Sequence, residues 1–230
     1  MPAYNEELRI DATLRKIRSY ADAQSFRVEV IVVDDGSTDA TARLVAKFSD
    51  VRLLRVSPNR GKGYAVRHGV LNAAGEFVLF TDADLSAPIQ EADSLFAALE
   101  SCGADAAIGS RALRRELIGI RQPLLRDYSG RCYNLLVQLV TGLRIHDTQC
   151  GFKLFRMDAT TTRRAFELQR VEGFGFDPEL LFLIARFGGK IVEVPVHWNH
   201  DPASKVRFPR DPMRMFADLI SLRLRPIAAN

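Results

Sequence analysis

Short apolar runs that stop at clusters of charged or small polar residues set the strongest limit on what this chain can become. Val28-Glu-Val-Ile-Val-Val33 stops at Asp34-Asp35-Gly36-Ser37, Phe77-Val-Leu-Phe80 leads through Thr81 into Asp82-Ala83-Asp84, and Ala104 to Ile108 stops at Gly109-Ser110-Arg111. Runs of this length and content read as buried strands, and Val51 to Val56 reads as another. Between them lie segments of helical spacing: residues 5–20, with Leu8, Leu14 and Ile17 among charges, Thr38 to Phe48, a stretch from the Asn59–Gly63 turn through Ala74, and Gln90 to Glu100. Strands that alternate with helices specify an α/β fold with a mostly parallel central sheet flanked by helices. Such sheets bind ligands beyond the carboxyl ends of their strands, so the site is expected where these acids lie.

The chain can bury the core that this fold needs. Its 230 residues are 47% hydrophobic and include 14 Phe, which excludes a disordered tail, a collagen-like fibre and a disulfide-stapled miniprotein. Lys and Arg number 32 against 28 Asp and Glu, and a net charge of +4 is too small to indicate a nucleic-acid binder. Cys102, Cys132 and Cys150 contain no Cys-x-x-Cys pair and leave at least one thiol unpaired, which fits a reducing, cytosolic compartment. Met1-Pro-Ala-Tyr-Asn-Glu-Glu7 lacks the basic and apolar regions of a signal peptide, and no stretch reaches the roughly 18 apolar residues of a membrane span. Any membrane contact is therefore expected to be peripheral.

The second half is less regular. A basic segment from Arg111 to Arg131 overlaps an apolar helix from Asp127 to Thr141, and Asp147-Thr-Gln-Cys-Gly-Phe-Lys-Leu-Phe155 follows. A helix around Asp177 to Phe187, a strand from Lys190 to Val196 and an amphipathic tail helix over 211–226, with Pro212 in its first turn, complete the pattern. No linker, repeat or low-complexity stretch divides the chain, so residues 1–230 are expected to form one domain.

Asp82 and Asp84, one residue apart at a strand end, can both reach one hard divalent cation, and Mg²⁺ prefers a few carboxylates plus substrate phosphates. A pair of solvated loop acids has the same spelling, so the neighbours decide. Asp34-Asp35-Gly36-Ser37 repeats the arrangement on another strand: a carboxylate there can accept from a base N–H or ribose hydroxyls, while Ser37 or Asp39 can cap the next helix. Asn59-Arg60-Gly61-Lys62-Gly63 lacks Walker spacing. Lys62 at a helix start opposes the helix dipole, which points to a ligand or an acidic partner for it.

In order, Pro2-Ala-Tyr-Asn-Glu6, Val33-Asp-Asp-Gly-Ser-Thr-Asp39, Asn59-x-Gly-Lys-Gly63, Asp82-Ala-Asp-Leu-Ser86 and Gly109-Ser-Arg111 resemble the motifs of the inverting glycosyltransferases of family 2, with the GT-A fold. Asp147 to Phe155 and Gly175-Phe-Asp177-Pro-Glu-Leu-Leu181 resemble the dolichyl-phosphate β-glucosyltransferases and their polyprenyl-phosphate relatives. The resemblance runs to about Lys205. It implies that Pro2, Ala3, Tyr4 and Glu6 line a nucleotide pocket, with Asp34 or Asp35 at the base and Lys62 nearby. It further implies that Asp82 contacts the donor sugar or ribose and that Asp84 holds Mg²⁺ or Mn²⁺. Arg111, Arg126 and Arg131 would face phosphates, while Gln149 and Lys205 lie on the acceptor side and Asp177 near the sugar. Ser86 stands where mannosyl-phosphate relatives carry a metal-binding Gln and matches the glucosyl type; the family has an apolar strand immediately before Pro-Ala-Tyr-Asn-Glu, where this chain begins, so either that first strand is missing or the start codon has been placed too late.

The activity implied is transfer of glucose from UDP-glucose to a dolichyl or polyprenyl phosphate at the cytoplasmic membrane face. An ionised phosphate acceptor needs cations to position it more than a base to deprotonate it. Six arginines between residues 111 and 131, with Lys205, Arg207, Arg210 and Arg214, suit both a lipid phosphate and an anionic bilayer. The alternatives are GDP-mannose as donor, a saccharide acceptor served by a carboxylate base such as Asp177, and a non-catalytic nucleotide-sugar or membrane-binding module.

Overall fold

The computed structural model describes residues 1–157, 160–201 and 210–224. Its strands are β1 (Pro2–Ala3), β2 (Val30–Asp35), β3 (Val51–Val56), β4 (Phe77–Thr81), β5 (Ala106–Ser110), β6 (Phe152–Arg156) and β7 (Ile191–Pro195). The helices are α1 (Ile10–Asp22), α2 (Thr41–Val45), α3 (Lys62–Leu71), α4 (Glu91–Cys102), α5 (Leu124–Thr141), α6 (Thr160–Leu168), α7 (Phe176–Arg186) and α8 (Arg210–Leu224). Strands β1-β2-β3 pair in parallel, with Ala3 opposite Asp34 and Asp34 opposite Arg55. Strands β4-β6-β5-β7 form a second ladder in which β5 and β7 are parallel and β6 runs antiparallel to both neighbours.

Period-2 alternation along β2 explains why helices cover both faces. Val32 packs with Ile10 and Leu14 of α1, whereas Ile31 and Val33 pack with Ala65 of α3. The second ladder is buried in the same way. Leu95 and Leu99 of α4 lie with Ala107, Phe152 and Leu154 in one cluster, and Phe80 and Phe155 meet Phe166 and Phe176 of α6 and α7 in another. Phe155 packs edge-on against Phe166 at 5.0 Å, as does Phe80 against Phe176 at 5.9 Å.

Several elements differ from expectation. Pro2–Ala3, which the sequence reading assigned no strand, form the short β1 paired with β2. The helix expected from residue 5 starts at Ile10, because Asn5 takes a left-handed φ of 53° and the carbonyl of Glu6 accepts the Ile10 N–H. The helix expected over Thr38 to Phe48 contracts to α2, and α5 begins three residues earlier than Asp127. β6 and α6 have no counterpart in the sequence reading. In β6 the lysine amid Phe152, Leu154 and Phe155 hides a buried strand, and in α6 the Thr160-Thr-Thr162 run lowers helix propensity.

Candidate active site

Parallel pairing brings the ends of β1 and β2 to one edge, where the following loops interlock. Ser37 Oγ accepts the Asn5 N–H at 2.9 Å, Asn5 Oδ1 accepts the Thr38 N–H at 2.8 Å, and Thr41 Oγ1 accepts the Glu6 N–H at 2.7 Å. Tyr4 and Glu6 thus stand beside the acidic end of β2, and Arg9 pairs with Glu6 at 2.9 Å. The two aspartates there have different duties. Asp35 accepts the N–H groups of Arg60 and Gly61 at 2.9 and 2.7 Å, so it shapes the loop ahead of α3. Burial raises its pKa, and the two amides work against that shift. Asp34 accepts the Ser37 N–H at 3.1 Å and lies 3.8 Å from Arg55.

The loop that Asp35 shapes delivers Lys62 into the cleft. Gly61 has a φ of 113°, and a Cβ there would lie 2.5 Å from the Glu172 carbonyl, so only glycine suits this turn. The acidic partner expected for Lys62 is Asp82, whose two oxygens lie 2.8 and 2.9 Å from its Nζ. Burial pulls Lys62 down, but the charges of Asp82, Asp177 and Asp84 outweigh it and hold the ammonium above its usual pKa. Asp84 is exposed, and its Oδ1 accepts the Ser86 N–H at 2.9 Å. Desolvation, then the neighbouring Asp82 charge, raises its pKa. Asp82 itself rests on β6's leading glycine: a Cβ at Gly151 would fall 1.9 Å from Asp82 Oδ2.

Two more ion pairs extend this cluster inward. Lys153, fully buried in β6, reaches Asp177 Oδ1 and the Cys150 carbonyl, both at 2.5 Å. Burial pushes Asp177 up, with Lys153 and Lys62 opposing. Both ammoniums lie near the Phe80 ring, Lys62 Nζ 5.4 Å and Lys153 Nζ 5.7 Å from its centroid. Arg111, at the end of β5, grips Asp147 through Nε at 2.6 Å, Nη2 at 2.8 Å and its backbone N–H at 3.0 Å. Burial raises Asp147, but the Arg111 charge and hydrogen bonds prevail and leave it below the usual carboxylate range.

Arg126, in the first turns of α5, lies within electrostatic reach of Arg111 and Asp84. Desolvation and then the Arg111 charge lower its pKa, while Asp84 opposes them, so all three groups act on one another. Asn134 of α5 holds the neighbouring loop by donating to the Ile145 and His146 carbonyls at 2.8 and 2.9 Å and accepting from Thr148. Gln149 donates to the Phe174 carbonyl at 3.4 Å. Arg131 is not brought to the cleft: it is exposed and pairs with Asp127 on its own helix at 2.8 Å. Lys205 lies outside the described residues. Sequence reasoning passed over Lys153, Asp147 and Asn134. The one available signal was a lysine inside an apolar run, which calls for a buried counter-charge.

Among the described residues, no three His, Cys, Asp or Glu side chains come together as a protein-made metal cage. Asp84 beside Asp82 nevertheless fits a hard cation that takes one or two carboxylates and completes its shell with phosphate oxygens.

The family model for glycosyl transferase family 2 matches residues 1–163. The chain is 33% identical to the dolichyl-phosphate beta-glucosyltransferase of Dictyostelium discoideum over 98% of its own length and 73% of the relative's. It is 36% identical to the Homo sapiens enzyme of that name, covering 98% and 74%, and 39% identical to that of Drosophila melanogaster, covering 90% and 68%. Among solved structures, glucosyl-3-phosphoglycerate synthase from Mycobacterium tuberculosis, determined with Mn²⁺ and UDP-glucose, superposes with a TM-score of 0.72 at 23% identity, covering 99% of this chain and 78% of that one. At that identity the likeness establishes the shared GT-A fold.

Proposed function

The chain belongs to glycosyl transferase family 2, and we propose that it moves glucose from UDP-glucose to a dolichyl or polyprenyl phosphate, with inversion, at the cytoplasmic face of a membrane. One observation carries the reading: Asp84, with Asp82 beside it, lies near enough to Arg126, and Arg126 to Arg111, for their charges to act on one another, so one site offers carboxylates for a cation-bound donor and guanidiniums for an anionic acceptor. The names of its relatives support glucose over mannose. Residues 1–230 are taken as one glycosyltransferase domain.

In this reading Pro2, Ala3, Tyr4 and Glu6 flank the nucleotide, and Asp34 is the acid that faces it while Asp35 maintains the loop. Asp84, with Asp82 beside it, would hold Mg²⁺ or Mn²⁺, which supplies charge neutralisation for the departing diphosphate. Lys62 adds a cation to the same place, and Asp82 accepts from donor hydroxyls once Lys62 turns to the phosphates. At the other end Arg111, held in plane by Asp147, and Arg126 orient the acceptor phosphate for attack, with Gln149 beside them. Arg131 contributes charge beside the site, and Lys205 adds a cation to the chain's basic tail. The acceptor is already ionised, so no side chain has to remove a proton. Asp177 is buried and bound to Lys153, which sets it to shape the sugar pocket rather than to serve as a base for a hydroxyl acceptor.

Radiolabelled transfer from UDP-glucose, with GDP-mannose in parallel, tests donor and metal together. Label should pass from UDP-glucose only when Mg²⁺ or Mn²⁺ is present, and Asp84→Ala should abolish it. Transfer from GDP-mannose alone, or metal-independent transfer by Asp84→Ala, would refute the assignment.

A further inference from the structure

Helix α5 turns an apolar stripe outward. Leu124, Tyr128, Leu135 and Leu139 recur along one side, with Leu125, Cys132 and Leu136 next to them, and all are exposed; Leu124, Leu125 and Leu139 reach 75%, 82% and 73%. At about 100° per residue these positions form a stripe about 120° wide. The residues of α5 that face the protein are Asn134 and Val137, while the leucines of the stripe face outward. Helix α8 packs against α5, where the Tyr133 hydroxyl donates to the Met215 carbonyl at 3.4 Å, and it also exposes apolar residues at Met213, Phe216 and Ile220. Leu113 and Ile120, in the segment ahead of α5, are exposed as well. A water-facing patch this apolar marks a binding surface.

The charges around it select the occupant. Residues 111–131 contain six arginines against Glu116 and Asp127, and the Asp127 carboxylate is neutralised by Arg115 and Arg131 at 3.0 and 2.8 Å. Arg114, Arg121 and Arg131 are exposed there, as are Arg214 and Arg223 on α8. An apolar face ringed by arginines opposes a second copy of itself with like charge, whereas an anionic bilayer offers acyl chains behind phosphates. We propose that α5, with the exposed face of α8, docks this protein onto an anionic lipid surface. The leucines enter the acyl boundary and the arginines meet headgroup phosphates. The inference rests on the membrane-facing acceptor proposed above and adds which surface makes the contact. Because Arg126 lies on α5, docking also brings the cationic end of the cleft to the headgroup level.

Flotation of the full chain with phosphatidylcholine vesicles, with and without phosphatidylglycerol, tests this without any acceptor lipid or nucleotide sugar, so it fails or succeeds independently of the transfer assay. The protein should float with phosphatidylglycerol vesicles and release in high salt. A variant carrying Leu125→Ser, Leu135→Ser and Leu139→Ser should partition at least about tenfold more weakly, and one carrying Arg114→Glu and Arg121→Glu should lose the phosphatidylglycerol preference. Unchanged circular dichroism and melting certify both variants as folded, since none of these side chains is buried. Binding by the leucine variant equal to that of the parent would overturn the proposal. So would a parent chain that ignores the vesicles, and a dimer in sedimentation that the leucine changes dissociate would then assign the face to a second copy.

Discussion

At Gly151 the backbone lies so close to Asp82 that a single methyl group would displace the carboxylate. Gly151→Ala should therefore lower kcat/KM by about 10²-fold, the usual cost of an ångström-scale misplacement, with little change in melting temperature. Asp84 carries a different signature. Its pKa is raised in the fold, so the native state binds the proton more tightly, and stability falls as pH climbs from about 3.9 through the raised value. Asp84→Asn should accordingly melt higher than the parent at neutral pH in chelator, lose that advantage in acid where both carboxyls are protonated, and be inactive. A variant that melts lower at neutral pH would show that the carboxylate stabilises the fold. Cys150 is buried and its thiol is pushed up to about 12, while Cys102 and Cys132 are exposed, so a thiol reagent should label those two in the native protein and Cys150 only on denaturation. Asp82, Asp84 and Lys62 were legible as sequence because strand-end acids and a cationic helix start are local signals. Lys153, Asp147 and Asn134 were not, since their partners lie 24, 36 and 11 to 14 positions away and nothing in local spacing records them.

Among the elements, α5 is one whose orientation the sequence did not give. Its apolar content read simply as an apolar helix, and only the fold shows that the apolar stripe faces water while Asn134 faces inward. Asn134 makes its bonds to backbone and to Thr148, so it joins α5 to the loop that carries Asp147. Asn134→Ala leaves several of these buried groups unpaired and should cost about 1–3 kcal/mol in denaturant unfolding. Asp147→Ala strips the partner from a desolvated guanidinium and should cost about 3–5 kcal/mol, with the loss of stability exceeding that of Asn134→Ala. The opposite order would mean that the loop, rather than the ion pair, anchors this corner. Strand β6 escaped the reading for a related reason: its central lysine suggests an exposed position, and Asp177, brought in by α7, together with the Cys150 carbonyl makes its burial tolerable.

For the whole molecule, the alternation of strands and helices sufficed to give an α/β architecture with the site at the strand ends, because each sheet face demands a covering helix. It could not give the reversal of β6, which follows from the chain's return between β4 and β5. Under the proposed function the architecture divides the labour: the ends of β2 and β4 and the loop after β1 would present acids to the donor, β5 and α5 would present guanidiniums to the acceptor, and α5 also carries the apolar stripe. That division is what ties the proposed chemistry to a lipid. The most direct measurement offers the full chain radiolabelled UDP-glucose with polyprenyl phosphate in detergent and, separately, with 3-phosphoglycerate, and follows where the label goes. Label extracted into organic solvent as a β-linked glucosyl phospholipid is the expected result; label confined to water-soluble glucosyl-3-phosphoglycerate, with none in the lipid, would contradict the acceptor assigned here.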